Sequence, residues 1–279
     1  SHPDSDSLLT LAWSLVLGVA AGFLSHLFVG ALLATRERAK NVQGRFNWMM
    51  PGLGGLATGC IGAAIYANTE RMGVFGIGYE DLSAALFGEL GLALLVTLLV
   101  GKFAATIFSY SSGGSGGIFA PTLFIGAMLG GTFGSLANLM SSSASAMPGT
   151  LALVGMGAMF AGIIRAPVTS ILIIFELTGD YNLILPIMAA NLSAYAIATH
   201  LRQVPIYESL LLQDGINLRK FPILRPNSGW QTLPISAIMT NTVHTLEARL
   251  PLEHAYLKIK DERFKIYPVI DSNGKFVGM

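Results

Sequence analysis

Charged side chains are scarce in this sequence. Asp, Glu, Lys and Arg together make up 33 of the 279 residues, or 12%, whereas soluble domains carry about 25%. Together with a mean hydropathy of +0.59, this argues against an ordinary soluble enzyme. The net charge is +1, which gives no bulk attraction to nucleic acid, so we expect no nucleic-acid partner.

Cysteine and metal-binding patterns are equally sparse. Cys60 is the only cysteine, which excludes an intrachain disulfide. The five histidines show no HExxH or paired-ligand spacing, so the sequence predicts no structural metal site. The chain begins with Ser1 rather than Met, and we therefore expect it to be a cut or processed piece of a longer protein.

Charge is missing altogether from the middle of the chain. Lys102 and Arg165 are consecutive charged residues, and 62 uncharged residues separate them. A single membrane-spanning helix needs about 20 apolar residues, so this run contains more than one membrane segment. Residues 1–200 hold 16 of the 33 charges, and residues 201–279 hold the other 17. The composition predicts a membrane part followed by a water-soluble tail.

The membrane part contains seven apolar segments of very different length. The first would be about 43 Å long as a helix, which exceeds the roughly 30 Å hydrocarbon core, so we expect it to tilt. The sixth is too short to span and predicts a half-helix. Broken helices at membrane depth persist only where they line a cavity or are buried in protein. The segments are 7–35, 46–69, 89–109, 119–139, 148–164, 167–177 and 182–200.

A glycine- and serine-rich stretch, Ser109–Pro121, lies inside the charge-free run and precedes an apolar helix. Unpaired amides at a helix start, together with the helix dipole, favour an anion there. The alternative is a plain loop between two spans, which would leave buried backbone unsatisfied at membrane depth. The stretch is not a P-loop, because no Gly-Lys-Ser/Thr follows it. The residues alone favour the anion site but leave the loop open.

The isolated polar residues of the membrane part have structural and functional interpretations. Tyr207, just after Pro205, either offers its hydroxyl to an anion or anchors the chain at the membrane interface. Lys102 lies within an apolar segment, and its long stem suits snorkelling or capping. A basic cluster follows the first span, and the positive-inside rule predicts a cytoplasmic loop for it. That cluster is Arg36, Arg38, Lys40 and Arg45.

The charged tail has the pattern of a small α+β unit. Residues 214–230 indicate an irregular linker, and 231–279 a soluble unit that is incomplete as given. A short helix is predicted around Leu252–Ile259, followed by strands at Tyr267–Ile270 and Lys275–Met279. The Asn-Gly pair between these strands is typical of a hairpin turn.

Several motifs in one order resemble the CLC chloride channel and transporter family. Gly117-Ile118-Phe119-Ala120-Pro121 resembles the family's GxFxP motif, and Pro205-Ile206-Tyr207 resembles the segment whose tyrosine reaches the central anion. The resemblance covers roughly 8–213, and 234–279 resembles the first half of a CBS domain. The other similar stretches are Gly155–Ala158, Ile164–Pro167, Glu176–Tyr181 and Leu183–Pro186.

The resemblance implies an all-α integral membrane fold with tilted and broken helices. The chain would be the second inverted-topology half of a CLC-type pore, with the membrane domain at 1–213, the linker at 214–230 and a partial CBS-like cytoplasmic tail at 231–279. It implies a homodimer in the lipid bilayer with one pore per subunit. The first half of the same protein would be a further partner.

The function implied by the resemblance is chloride transport across a membrane, by a voltage-gated channel or an H+/Cl− exchanger. The backbone amides of Ile118 and Phe119, next to Gly117, would hold the anion, and the Tyr207 hydroxyl would hold it from the inner side. Channel and exchanger both stay open, because the family's Gly-Arg-Glu-Gly-Pro stretch with the gating glutamate is not found here. No resident cofactor is implied, although a complete CBS pair could bind an adenine nucleotide.

Two other classes of function fit the sequence less well. A CBS-regulated cation transporter of the magnesium type needs acids along its path, but Glu89, Glu176 and Asp180 all lie away from segment centres. An intramembrane enzyme needs a nucleophile with a base, or paired carboxylates, at membrane depth. Residues 103–164 contain no His, Cys, Asp, Glu or Lys, so we expect no enzyme.

Overall fold

In the computed structural model, every apolar segment marked in the sequence contains a helix. The residues described are 3–41, 49–114, 116–140, 147–216, 236, 239, 243–260 and 266–278. The chain divides into two units, Ser1–Ile216 and Asn217–Met279, and each is described by itself. The helices are α1 (Pro3–Asn41), α2 (Met50–Thr69), α3 (Tyr79–Leu86), α4 (Leu92–Ser111), α5 (Phe119–Met140), α6 (Met147–Ile164), α7 (Pro167–Thr178), α8 (Ile184–Leu201), α9 (Ile206–Gln213) and α10 (Leu252–Ile259).

Five helical stretches within these ranges are long and apolar enough to cross a membrane. They correspond to α1, α2, α4, α5 and the run from Tyr181 to Gln213. α2 is the least buried of them: 11% of its most apolar 18-residue stretch is buried, compared with 56% for α5. Cys60 lies exposed on α2. α7 has 12 residues, about 18 Å of helix, so the predicted short, non-spanning segment is confirmed.

The first helix is longer than the sequence predicted. α1 continues through Arg36, Arg38 and Lys40 to Asn41, so the loop predicted for these basic residues is wrong. Basic side chains in the last turns of a helix interact favourably with the negative end of its dipole, and they do not end the helix. Arg45 lies outside the described residues.

Two short helices have no counterpart among the seven predicted segments. α3 begins after Gly78, whose φ of 74° is left-handed, and it carries Glu80 and Asp81 in its first turn. α9 begins after Pro205. Both have eight residues, which is too short for an apolar period to stand out from the neighbouring loops.

Close approaches between helices occur at small residues. A Cβ built on Gly18 of α1 would lie 2.1 Å from Ser193 Oγ of α8, and one on Gly22 would lie 2.8 Å from Ile197 Cβ. Glycine therefore fits at both crossings of α1 with α8, and a larger residue would collide with the neighbouring helix.

One apolar cluster joins the helices that surround the glycine-rich stretch, and we call it the Ile118 cluster. It joins the second half of α1, the second half of α4, the start of α5, the second half of α6 and the start of α9. Its buried members are Phe28, Val29, Leu32, Leu33, Ile107, Ile118, Ile125, Met159, Ile163, Ile206 and Leu210.

The second unit contains a three-stranded sheet with order β1-β2-β3. β1 (Leu246–Glu247) runs parallel to β2 (Val269–Ile270), and β2 pairs antiparallel with β3 (Phe276–Gly278). α10 lies in the connection between β1 and β2, as a parallel pairing requires a crossover. The predicted hairpin is confirmed with shorter strands. Most of the predicted linker 214–230 lies outside the described residues.

Candidate anion site

The glycine-rich stretch ends where α5 begins, at Phe119. The Thr122 amide donates to the Ile118 carbonyl at 3.1 Å, and the Thr122 hydroxyl donates to the Phe119 carbonyl at 2.7 Å. The amides of the first turn have no carbonyl partner within the helix. The positive end of the α5 dipole therefore points out of the helix toward this stretch.

A cavity of about 500 Å³ opens beside the start of α5. Gly117 and Phe119 are among its lining residues, and Ile118 turns its side chain into the Ile118 cluster, where it is 1% exposed. The other described walls come from α2, the 74–77 loop and α4. They include Thr58, Phe75, Gly76, Lys102, Thr106, Ser109 and Tyr110.

Tyr207 is the second residue of α9. It is 48% exposed. Ile206, one residue earlier, is buried in the same cluster as Ile118. The structure thus brings the first residues of α5 and α9 to one apolar core, although Tyr207 is not among the residues lining the cavity.

Phe119 has an aromatic partner that sequence reasoning missed. The rings of Phe119 and Phe160 meet edge to face, with centroids 5.1 Å apart and planes at 80°. Phe160 is buried on α6, so the contact fixes the Phe119 ring against a neighbouring helix. No local pattern could have revealed it, because the two residues are 41 positions apart.

Lys102 does not snorkel, and that interpretation of its sequence position is wrong. The side chain is 2% exposed, and its Nζ donates to the carbonyls of Gly73 at 3.0 Å, Val74 at 3.2 Å and Gly76 at 2.6 Å. The ammonium also lies 4.9 Å from the centroid of the Phe124 ring, a cation–π distance. Lys102 ties the 73–76 loop to α4 at the cavity wall.

A polar cluster holds the far end of α9, and we call it the Asp214 cluster. Arg36 Nη2 donates to Asp214 Oδ1 at 3.0 Å, and Lys40 Nζ donates to the same oxygen. Gln213 Nε2 donates to the Leu33 carbonyl at 3.0 Å. The hydrogen bond from Lys40, together with Arg36, lowers the pKa of Asp214 below its usual value.

No group of three or more His, Cys, Asp or Glu that could hold a metal ion occurs in the part of the chain that the structure describes.

Comparison with known proteins identifies relatives over most of the chain. The family described as voltage gated chloride channel matches residues 2–199. The H(+)/Cl(-) exchange transporter ClcA of Vibrio cholerae serotype O1 (strain M66-2) is 33% identical over 229 residues, which are 81% of this chain and 48% of that protein. The chain thus spans about half the length of the curated relatives it matches.

Two solved structures share the fold. A slow cyanobacterial Cl-/H+ antiporter superposes with a TM-score of 0.59 at 26% identity, covering 74% of this chain and 47% of that chain. A eukaryotic CLC transporter superposes with a TM-score of 0.62 at 24% identity, covering 96% and 47%. These relatives are transporters rather than enzymes. Because the family match covers more than half of the residues, this chain is an integral membrane protein of the CLC, or voltage-gated chloride channel, family.

Proposed function

We propose that this chain supplies the second half of a chloride transport pathway. The anion is held by the backbone amides of Ile118 and Phe119, beside Gly117, and by the hydroxyl of Tyr207. The observation that carries the proposal is the free N-terminal end of α5 opening onto a cavity. The names of the relatives, H(+)/Cl(-) exchange transporter and Cl-/H+ antiporter, support chloride as the ion.

The charge around the cavity favours an anion over a cation. Among the described residues that line it, none is acidic, and Lys102 is the one charged side chain. A divalent cation requires carboxylate or carbonyl oxygens pointing at it, so the magnesium-type alternative lacks its ligands at this cavity. The Lys102 ammonium donates to three carbonyls, so it adds a favourable potential without closing on the ion.

The mechanism follows from partial rather than full charges. A chloride that has lost water needs compensating donors, and a helix terminus supplies oriented amides without reorganisation. Amide and hydroxyl donors bind a small anion less tightly than a free guanidinium or ammonium would. Conduction requires an ion site that admits the ion and also releases it. Gly117 carries no side chain, which leaves the approach to the Ile118 and Phe119 amides open.

The remaining assignments complete the proposed assembly. The membrane domain is 1–213, the linker 214–230 and the partial CBS-like cytoplasmic tail 231–279. The first half of the pore comes from a further segment of the same protein, and two such proteins form a homodimer in the bilayer. In the second unit a separate cavity of about 200 Å³ is lined by His244, Thr245, Leu246, Lys258, Ile259 and Tyr267. A complete CBS pair built on this unit would offer an adenine nucleotide a place there.

The test uses the complete transporter that contains this chain, in liposomes loaded with chloride. Phe119→Pro removes one amide donor at the first position of α5, where the proline ring is tolerated. Phe119→Ala removes the ring but keeps the amide. We expect chloride efflux to fall about 10-fold or more in Phe119→Pro relative to Phe119→Ala, and equal efflux in the two variants would contradict the amide role.

Tyr207→Phe tests the other ligand. Removing one hydroxyl donor should weaken chloride binding, measured by calorimetry, by about 5-fold to 10-fold. Unchanged affinity would remove Tyr207 from the site. Efflux measured with and without a pH gradient then separates a proton-coupled exchanger from a passive channel.

A further inference from the structure

Arg165 lies in the short break between α6 and α7 and binds three backbone carbonyls of another segment. Its Nη1 donates to the Gln203 carbonyl at 2.7 Å. Its Nη2 donates to the Ala198 carbonyl at 3.2 Å and to the Arg202 carbonyl. All three acceptors belong to the end of α8 or to the residues that lead from α8 into α9.

The Arg202 and Gln203 carbonyls lie beyond Leu201, the last residue of α8, where no further helical amide follows to bind them. The Ala198 carbonyl already accepts from the Arg202 amide at 3.1 Å and takes Arg165 as a second donor. A cation placed there also meets the negative end of the helix dipole. The Arg165 guanidinium supplies both a donor and a positive charge at this point. The Arg202 and Gln203 carbonyls that it binds lie four and three residues before Ile206, the first residue of α9.

Arg165 is itself held in an unusual backbone conformation. Its φ is +63°, in the left-handed region that residues other than glycine rarely adopt. Its amide donates to the Ala161 carbonyl at 3.1 Å, which closes the last turn of α6. The conformation ends α6 while Pro167 begins α7, and the side chain then reaches the α8–α9 connection.

The same stretch of α6 contacts the other anion ligand. Phe160 lies five residues before Arg165 and packs edge to face on Phe119 at 5.1 Å. Ile163, between them, is buried in the Ile118 cluster with Ile118 and Ile206. One turn and a half of α6 therefore touches the start of α5 and the approach to α9.

From this geometry we infer that Arg165 is a positioning residue for Tyr207, and that it fixes the Tyr207 hydroxyl relative to the α5 amides. The inference rests on the proposed function, because it assigns Arg165 a role in the chloride site proposed above. Arg165 acts through the backbone of residues 198–203 and does not itself touch the anion.

The planar guanidinium explains why an arginine is needed. It presents five donors in a rigid fork, and two of its nitrogens serve three carbonyls here. The Gln203 and Ala198 carbonyls bind different nitrogens, Nη1 and Nη2, whereas a lysine has one nitrogen on a flexible stem, so we expect a lysine to lose at least one of these bonds. Arg165→Lys thus keeps the charge and loses the fork.

A double-mutant cycle in the complete transporter tests the inference, with chloride affinity measured by calorimetry. We expect Arg165→Lys alone to weaken chloride binding about 5-fold to 10-fold, as coupled residues do. In the Tyr207→Phe background the same change should have little further effect, because the group that Arg165 positions is gone. Full additivity of the two changes would overturn the inference, since Arg165 would then act independently of Tyr207.

Arg202→Ala is the matched control for charge. Arg202 accepts from Arg165 through its backbone carbonyl, so truncating its side chain removes one arginine charge from this connection and leaves the three bonds possible. We expect a smaller loss of affinity than in Arg165→Lys, even though the latter retains its charge. An equal or larger loss in Arg202→Ala would show that electrostatic attraction, not positioning, is at work.

A measurement without chloride separates this inference from the proposed function. Fluorotyrosine at position 207 gives a ¹⁹F resonance that reports the surroundings of the ring in the absence of any anion. Arg165→Lys should shift or broaden this resonance, and Arg202→Ala should leave it close to that of the parent. An unmoved resonance in Arg165→Lys overturns the positioning role. If Arg165→Lys moves the resonance but the parent protein binds no chloride, the positioning role stands and the proposed function is contradicted.

Discussion

Gly126 of α5 and Gly155 of α6 lie directly against each other's backbone. A Cβ built on Gly126 would be 2.4 Å from the Gly155 carbonyl oxygen, and one built on Gly155 would be 2.2 Å from the Gly126 carbonyl oxygen. Gly130 extends this line, with a built Cβ at 1.9 Å from the Leu151 carbonyl oxygen. Backbone contact of this kind fixes α5, and with it the helix start at Phe119, to α6.

Gly155→Ala should destabilise the protein, because its methyl group has no space and the helices must separate. Forcing an extra carbon into a packed contact costs about 1–3 kcal/mol, so the unfolding temperature in detergent should fall by several degrees. Gly59→Ala on α2 is the control, since nothing lies within 4 Å of a Cβ there. It should be neutral or slightly stabilising. Equal unfolding temperatures for the two variants would refute the backbone contact.

Lys102→Met should also destabilise the protein, since it leaves three carbonyls of the 73–76 loop without their donor. An unsatisfied buried polar group costs about 1–3 kcal/mol, and we expect roughly 2–4 kcal/mol for the set. Thermal unfolding of the variant is the measurement. Lys258→Met, which changes an exposed lysine of α10, should move the unfolding temperature by less than a degree or two. A stable Lys102→Met protein would contradict the role assigned to these bonds.

The Asp214 cluster should make a small, pH-dependent contribution to stability. The folded pKa of Asp214 is depressed by Lys40 and Arg36, so the contribution is present above the unfolded pKa of about 3.9 and is lost as pH falls through the folded pKa. Because Asp214 is 40% exposed, we expect no more than about 1 kcal/mol.

Asp214→Asn provides the measurement for this pH dependence. The unfolding temperature of the parent should exceed that of the variant by a constant amount from pH 7 to about pH 5. The difference should shrink below about pH 4 as the carboxylate is protonated. A difference that grew toward low pH would have the wrong sign for a depressed pKa.

Ser170 should contribute to the contact between α6 and α7. Its buried hydroxyl donates to the Gly157 carbonyl at 2.8 Å, so Ser170→Ala should cost about 1 kcal/mol in the free energy of unfolding. Thr169, the preceding residue, is exposed, and Thr169→Ala is the matched control. Chemical unfolding in mixed detergent should distinguish the two variants. Identical unfolding midpoints would show that the Ser170 hydrogen bond adds no stability.

Long apolar helices were predictable because composition alone decides them. The start of α5 was also predictable, since Gly116 and Gly117 are the last glycines of the glycine- and serine-rich stretch and an apolar run begins at Phe119. α3 was missed because eight residues with Glu80 and Asp81 resemble a loop. The extension of α1 does not follow from the apolar pattern, because that pattern ends before Arg36, whereas basic residues suit a helix C-terminus.

The contacts that Arg165 and Lys102 make beside the candidate site could not be predicted from the sequence, for a different reason. Arg165 binds carbonyls 33 to 38 residues later in the chain, and Lys102 binds carbonyls 26 to 29 residues earlier. Each partner is a backbone oxygen, which carries no side-chain identity that a sequence could display. The family resemblance predicted the amide donors and Tyr207, which stay predictions, whereas the backbone contacts of Arg165 and Lys102 required coordinates.

The exposure of α2 gives the molecule a built-in reporter. Cys60 lies on the least buried of the long helices and is the only thiol in these 279 residues, so a maleimide reagent reacts at a single known atom. Labelling rates compared between the isolated chain and the complete transporter would reveal whether protein or lipid covers this face. A fluorophore at the same atom of this chain would report changes in the surroundings of α2 directly.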